Sequence, residues 1–255
     1  MKMNFLLFIA FLSVICCKQE PKISQNNVVS LSSKLNYKEN NGNIHVESGK
    51  FKYDFKASQL PLKKVILLNA SLLGYISGID AENTVIGVSS PEYIFSDKIQ
   101  NLIKDGKIQN VVNEQKYYVE IIFALKPDAI FTNYIASFDN TYQLLKNNGI
   151  QVVFLDEYME QKPLEKTAYI KLFGKLFGKE KLAEKKYAEI EKNYIDLKKL
   201  ASTSKSQPIV LANEMYGDIW YLPGGKTFTA NYIADANANY ILKDNSDEKA
   251  VTMSF

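Results

Sequence analysis

Apolar residues recur along this chain in two rhythms. Short apolar runs fall at residues 64–69 (KVILLN), 84–88 (TVIGV), 109–112, 128–132 (DAIFT) and 151–155 (QVVFL), and each predicts a strand. Between them, segments 71–79, 96–104, 117–125, 142–148 and 164–177 carry apolar residues at helical spacing. Alternating strands and helices predict an α/β fold with a mostly parallel sheet covered on both faces. In such sheets the loops at the carboxyl ends of the strands face the ligand. Here those loops hold Ser71, Leu72, Ser89, Pro91, Glu92, Tyr93, Tyr134, Glu157 and Tyr158.

The longest helical pattern spans residues 179–201, with no Gly or Pro inside it. Ala183, Tyr187, Ile190, Tyr194, Leu197 and Ala201 form one stripe, with Lys and Glu on the other faces. At ~1.5 Å per residue this is a rod of roughly 35 Å. It is either a helix inside one domain or a spacer between two α/β lobes. After it the strand and helix pattern resumes, with a strand at 208–213 (PIVLAN), a loop at 214–218 and a helix at 227–234 capped by Thr227.

Composition removes several functions. The 255 residues carry a net charge of only +3 with scattered lysines, which argues against a nucleic-acid surface. All 31 basic residues are Lys, so no Arg fork grips a carboxylate or phosphate. His45 is the single histidine, so no multi-imidazole metal site forms, and no resident metal or cofactor is expected. Gly225-Lys226-Thr227 is not a P-loop ending, because Trp220 stands where a Gly is required. No nucleophile elbow or dinucleotide fingerprint is present, so the expectation is a binding protein and not an enzyme.

The N-terminus reads as an address. One Lys precedes the apolar run of residues 5–15, too short to span a bilayer but fitting a secretory signal. It ends in Cys16-Cys17, the only cysteines, and resembles a bacterial lipoprotein signal. That resemblance implies lipidation at Cys17, or alternatively Cys16. Residues 18–50, rich in Ser, Asn and Lys, read as a tether, with His45 an ordinary surface residue on it.

Several segments, in order, resemble class III periplasmic binding proteins, the ferric-siderophore and cobalamin binders of ABC importers. Residues 120–130 (EIIFALKPDAI) resemble the family's E-x-[IL]-x-x-L-K-P-D-L-[IV] segment. Residues 78–88, 106–108 and 144–153 match flanking pieces, and Trp220 through Tyr240 resemble its W-[YF]-x-P-G-G segment, with Asn237 replacing a Gly. The resemblance runs from about residue 60 to the last residue.

It implies two Rossmann-like lobes joined by the long helix, with a ligand between them. The expected boundaries are a signal peptide at 1–17, tether 18–50, N-terminal lobe 51–178, connecting helix 179–203 and partial C-terminal lobe 204–255. The chain stops where the family continues with half a lobe more, so the second lobe is expected to be incomplete. The implied ligand is a ferric siderophore or a cobalamin-type corrinoid, with haem also considered. Candidate contacts are Ser71, Tyr93, Tyr134, Tyr158, Tyr216 and Trp220. Glu120 is implied to dock on the permease, and the implied partners are an ABC permease and its ATPase. The implied setting is a monomer, lipid-anchored in the cell envelope. An enzyme or a non-transport surface lipoprotein on the same nitrogenase-like α/β scaffold is the alternative.

Overall fold

The computed structural model describes residues 28–113 and 116–254. The signal segment, with Cys16 and Cys17, lies outside the described residues.

The first described elements correct the tether over residues 28–50. Residues 28–55 form a four-stranded antiparallel sheet, β1 (Val28–Ser30), β2 (Leu35–Asn40), β3 (Asn43–Ser48) and β4 (Phe51–Phe55), paired in sequence order. Its polar composition hides a period of two: Leu35, Ile44, Val46, Tyr53 and Phe55 turn inward and are buried, with polar residues between them. Asn41 and Gly42 take positive φ (50° and 78°) and join β2 to β3, the Asn-Gly hairpin turn. His45 belongs to this sheet and pairs with Asp54 on the neighbouring strand.

The main sheet is parallel and mixes all five predicted strands. They are β5 (Val65–Leu67), β6 (Val85–Ser89), β7 (Gln109–Val112), β8 (Ala129–Thr132) and β9 (Gln151–Phe154), in the order β7-β6-β5-β8-β9. The chain winds outward from β5 in one direction, then returns to β8 and winds in the other. The switch point therefore lies between β5 and β8, where such sheets bind ligands. Strands β5 and β8 are wholly buried, as continuous Val/Ile/Leu/Phe runs require. Helices α1 (Leu72–Gly78), α2 (Asp97–Lys104), α3 (Val119–Leu125) and α4 (Asp139–Asn147) make the crossovers. The expected helix at 164–177 is two, α5 (Pro163–Thr167) and α6 (Tyr169–Leu176). The second buries Tyr169, Leu172, Phe173 and Leu176 against the sheet. The antiparallel sheet docks on the β9 edge, where the Phe154 N–H donates to the Tyr53 hydroxyl at 2.7 Å.

The long helix is α7 (Glu180–Ser202). Only the start of its stripe is covered: Ala183 is buried against α6, Tyr187 and Tyr194 are half-buried, and Leu197 is 64 % exposed. Beyond it, β10 (Ile209–Val210) pairs in parallel with β13 (Asn239–Tyr240). A second small sheet pairs β11 (Met215–Tyr216), β12 (Ile219–Pro223) and β14 (Ala250–Ser254) antiparallel. Helix α8 (Phe228–Asp235) starts at Thr227, whose hydroxyl accepts from the Ala230 N–H. Asn237 follows it at φ 58°, the left-handed turn that the family's Gly would occupy.

Buried tyrosines make the fold sensitive to alkali. Burial is the first cause that raises the hydroxyls of Tyr53, Tyr75, Tyr117 and Tyr169 far above the ordinary value, and it pushes Tyr187 to about 12. The unfolded chain ionises these groups near pH 10, while the folded chain keeps their protons. Their contribution is therefore intact below about pH 10 and is lost as pH rises above it. Urea midpoints measured from pH 8 to 11 should be flat to about 9.5 and then fall steeply. A flat profile through pH 11 would contradict the burial of these hydroxyls.

Candidate functional site

The loop at the carboxyl end of β9 faces the C-terminal unit across a cleft of ≈ 590 Å³, and the loops after β5, β6 and β8 do not line it. Its first wall is the loop after β9, with Tyr158, Met159, Glu160 and Gln161, extended by Lys166 of α5 and by Lys34 from the antiparallel sheet. Its second wall is Asn213, Pro223, residues 227–229 and residues 248–250. The short helical turn Glu157–Met159 points Tyr158 and Met159 outward, 54 % and 42 % exposed.

Two contacts cross the cleft. The Lys166 ammonium sits 5.3 Å over the Phe228 ring, a cation–π contact. The Asn231 side-chain amide donates to the Gln161 carbonyl at 3.2 Å. Behind them, Tyr194 donates to Asp235 at 2.6 Å and Lys198 pairs with the same carboxylate, tying α7 to α8. Burial, then the bond to Asp235, raises the Tyr194 hydroxyl above its ordinary range.

The expected contact residues scatter. Tyr158 lines the cleft. Ser71, just before α1, bonds to Asn69 and touches the Glu157 carboxylate. Tyr93 stands exposed after β6 beside Phe95, which is 91 % exposed and carried no sequence signal. Tyr134 is half-buried in an aromatic cluster with Phe51, Phe154 and Tyr142, its ring 5.1 Å from the Lys50 ammonium. Tyr216 projects into solvent from β11, and the Trp220 indole on β12 donates to the Ala212 carbonyl at 3.3 Å; neither lines this cleft. Glu120 is exposed in the first turn of α3.

The sequence reading missed Lys34, Glu160, Lys166 and Phe228. The Pro223-Gly224-Gly225 segment carried a usable signal. A Cβ at Gly224 would stand 2.4 Å from the Asp247 carbonyl, and one at Gly225 2.2 Å from that of Asn245. Only glycine lets the segment 245–249 lie against this turn, and that approach brings Glu248 and Lys249 to the second wall.

The model of the family described as "Periplasmic binding protein" matches residues 65–252, from β5 to β14. The chain belongs to the periplasmic binding protein family. Its fold is the class III form, a parallel α/β lobe followed by a long helix and a second unit. This periplasmic binding protein is similar to an uncharacterized lipoprotein of Methanocaldococcus jannaschii, 27% identical over 75% of this chain and 48% of the relative. It spans about half the length of the curated relatives it matches, 48% and 58%. Among solved structures it resembles the siderophore binding protein BauB bound to a complex of two acinetobactin molecules and ferric iron. That match has a TM-score of 0.60 at 17% identity and covers 78% of this chain and 67% of that one. The periplasmic vitamin B12 binding protein BtuF of Vibrio cholerae matches with a TM-score of 0.55 at 14% identity, covering 76% and 71%.

Proposed function

We propose that this protein captures a ferric siderophore or a corrinoid in the cleft and hands it to an ABC permease with its ATPase, without catalysis. The observation that carries the reading is the cleft itself. It lies between the loop that follows β9 and the C-terminal unit, bridged by Lys166–Phe228 and Gln161–Asn231. Its size suits a metal chelate. Tyr158, Met159 and Phe228 offer apolar and aromatic contact, and Lys34, Lys166 and Lys249 offer positive charge against Glu248 and the buried Glu160. That balance favours a ferric chelate with anionic groups over a neutral corrinoid. Glu120, exposed in the first turn of α3, is the N-lobe residue proposed to dock on the permease. Cys17, with Cys16 as the alternative, is proposed to carry the lipid that holds the protein, as a monomer, in the cell envelope.

Isothermal titration with a ferric hydroxamate, a ferric catecholate and cobalamin tests the ligand class. One of the iron chelates is expected to bind saturably, and Lys166→Ala to weaken that binding at least tenfold, about 1.4 kcal/mol. Saturable binding of cobalamin alone would move the assignment to corrinoids. No heat with any of the three would remove the proposal.

A further inference from the structure

Two acidic side chains lie buried in the turn after β9, and the exposed Lys162 ammonium feels the Glu160 charge without pairing with it. Glu157 is 0 % exposed and Glu160 is 2 % exposed. They share one turn, where the Glu160 N–H donates to the Glu157 carbonyl at 3.2 Å. Among the described residues neither forms an ion pair. Each also leaves its Oε2 buried and without a hydrogen-bond partner. Burying an ionised carboxylate uncompensated is costly.

Glu160 Oε1 accepts from the Ser32 hydroxyl at 2.5 Å and from the Tyr169 hydroxyl at 2.8 Å. Ser32 Oγ itself accepts the Lys34 and Leu35 N–H groups at 3.1 and 2.9 Å, so its one proton is free to point at Glu160. Both donors meet Oε1, and Oε2 meets none. Glu157 Oε1 meets the Ser71 hydroxyl. A proton on either Oε2 would need an acceptor in turn, and none is within reach. A cation needs none. The Tyr75 hydroxyl, raised first by burial, is raised further by the charges of both Glu157 and Glu160, so the two carboxylates act on one neighbourhood. Glu160 also lines the cleft, which supplies an access route.

We propose that Glu157 and Glu160 hold a hard divalent cation of the calcium class in the cleft wall. Carboxylate and hydroxyl oxygens are the donors such an ion takes. Through the Ser32–Glu160 bond the ion would also fix the antiparallel sheet to the loop that carries Tyr158.

Terbium is the probe, because Tyr169 lies against Glu160 and tyrosine sensitises terbium emission. The full chain, without siderophore or corrinoid, should show saturable sensitised emission that calcium displaces. Glu157→Gln and Glu160→Gln should each weaken it at least tenfold. Calcium should raise the Tm of the parent chain and not of these variants. If the variants fail to fold, Glu160→Asp, which keeps the charge and draws the carboxylate back by one methylene, should still weaken binding measurably. A flat terbium and calcium titration of the parent chain overturns the proposal, as does emission that these substitutions leave unchanged. Because the metal is tested alone, that failure would leave the reading of the cleft's cargo untouched.

Discussion

Replacing Gly174 with valine is expected to cost about 3 kcal/mol or more and to lower Tm by roughly 6–12 °C. Gly174 lies where α6 and α7 approach most closely. A Cβ there would stand 2.4 Å from the Ala183 Cβ, 3.3 Å from the Lys179 carbonyl and 3.4 Å from the Glu180 Cα. None of these atoms ends a flexible side chain, so the clash cannot be relieved by a rotamer change. Either the helices separate or the first turn of α7 unravels, with loss of the Lys179 N–H bond to the Gly174 carbonyl at 2.7 Å. Gly74→Ala is the control. It sits inside α1 with no atom within 4 Å of an added Cβ, and should gain up to about 1 kcal/mol. Thermal unfolding of the two variants checks both signs, and a Gly174→Val protein melting within 2 °C (roughly the shift of under 1 kcal/mol) of the parent would refute the close approach.

A chain begun at Phe51 is expected not to fold stably. That start point follows the boundary at which a tether would end and a lobe begin. It removes β2 and β3 and with them Leu35, Ile44 and Val46, all at most 1 % exposed. Burial of each is worth roughly 1.5–3 kcal/mol, so the loss is comparable to the whole stability of a domain. It also strips the pairing from β4 and removes Ser32 from Glu160. Such a chain should bind a hydrophobic dye and lose its near-ultraviolet circular dichroism. A cooperative transition close to that of the parent would show that the sheet is dispensable after all.

What the sequence made legible followed the strength of its signals. The parallel strands stood out because strands buried on both faces must be continuous apolar runs, and each was placed within a residue or two. The left-handed turn at Asn237 was legible from one substitution in a Gly position. The antiparallel sheet was hidden because strands exposed on one face need only every second residue apolar. The His, Glu, Ser, Lys and Asp residues between Ile44, Val46, Tyr53 and Phe55 dominated the composition. The Asn41-Gly42 pair was the available clue. At the cleft, the strand pattern located the loops but not the directions of their side chains. Tyr134 and Tyr158 look equivalent in sequence, yet Tyr134 packs into an aromatic cluster and Tyr158 stands out into the cleft. Glu160 and Lys34, 126 residues apart, meet the same space only after a sheet that periodicity did not announce.

The uneven burial of α7 has a mechanical meaning. Its first turns are gripped by α6, while its last turns carry the C-terminal unit through Tyr194, Lys198 and Asp235. It is a cantilever, clamped at one end and loaded at the other. Over a length of roughly 35 Å, a flexure of about 5° at the clamp moves the loaded tip about 3 Å. That travel is enough to part Lys166 from Phe228 and Asn231 from Gln161 without unwinding a turn. The spring constant of the cleft would then reside at Gly174 and Ala183, neither of which lines it.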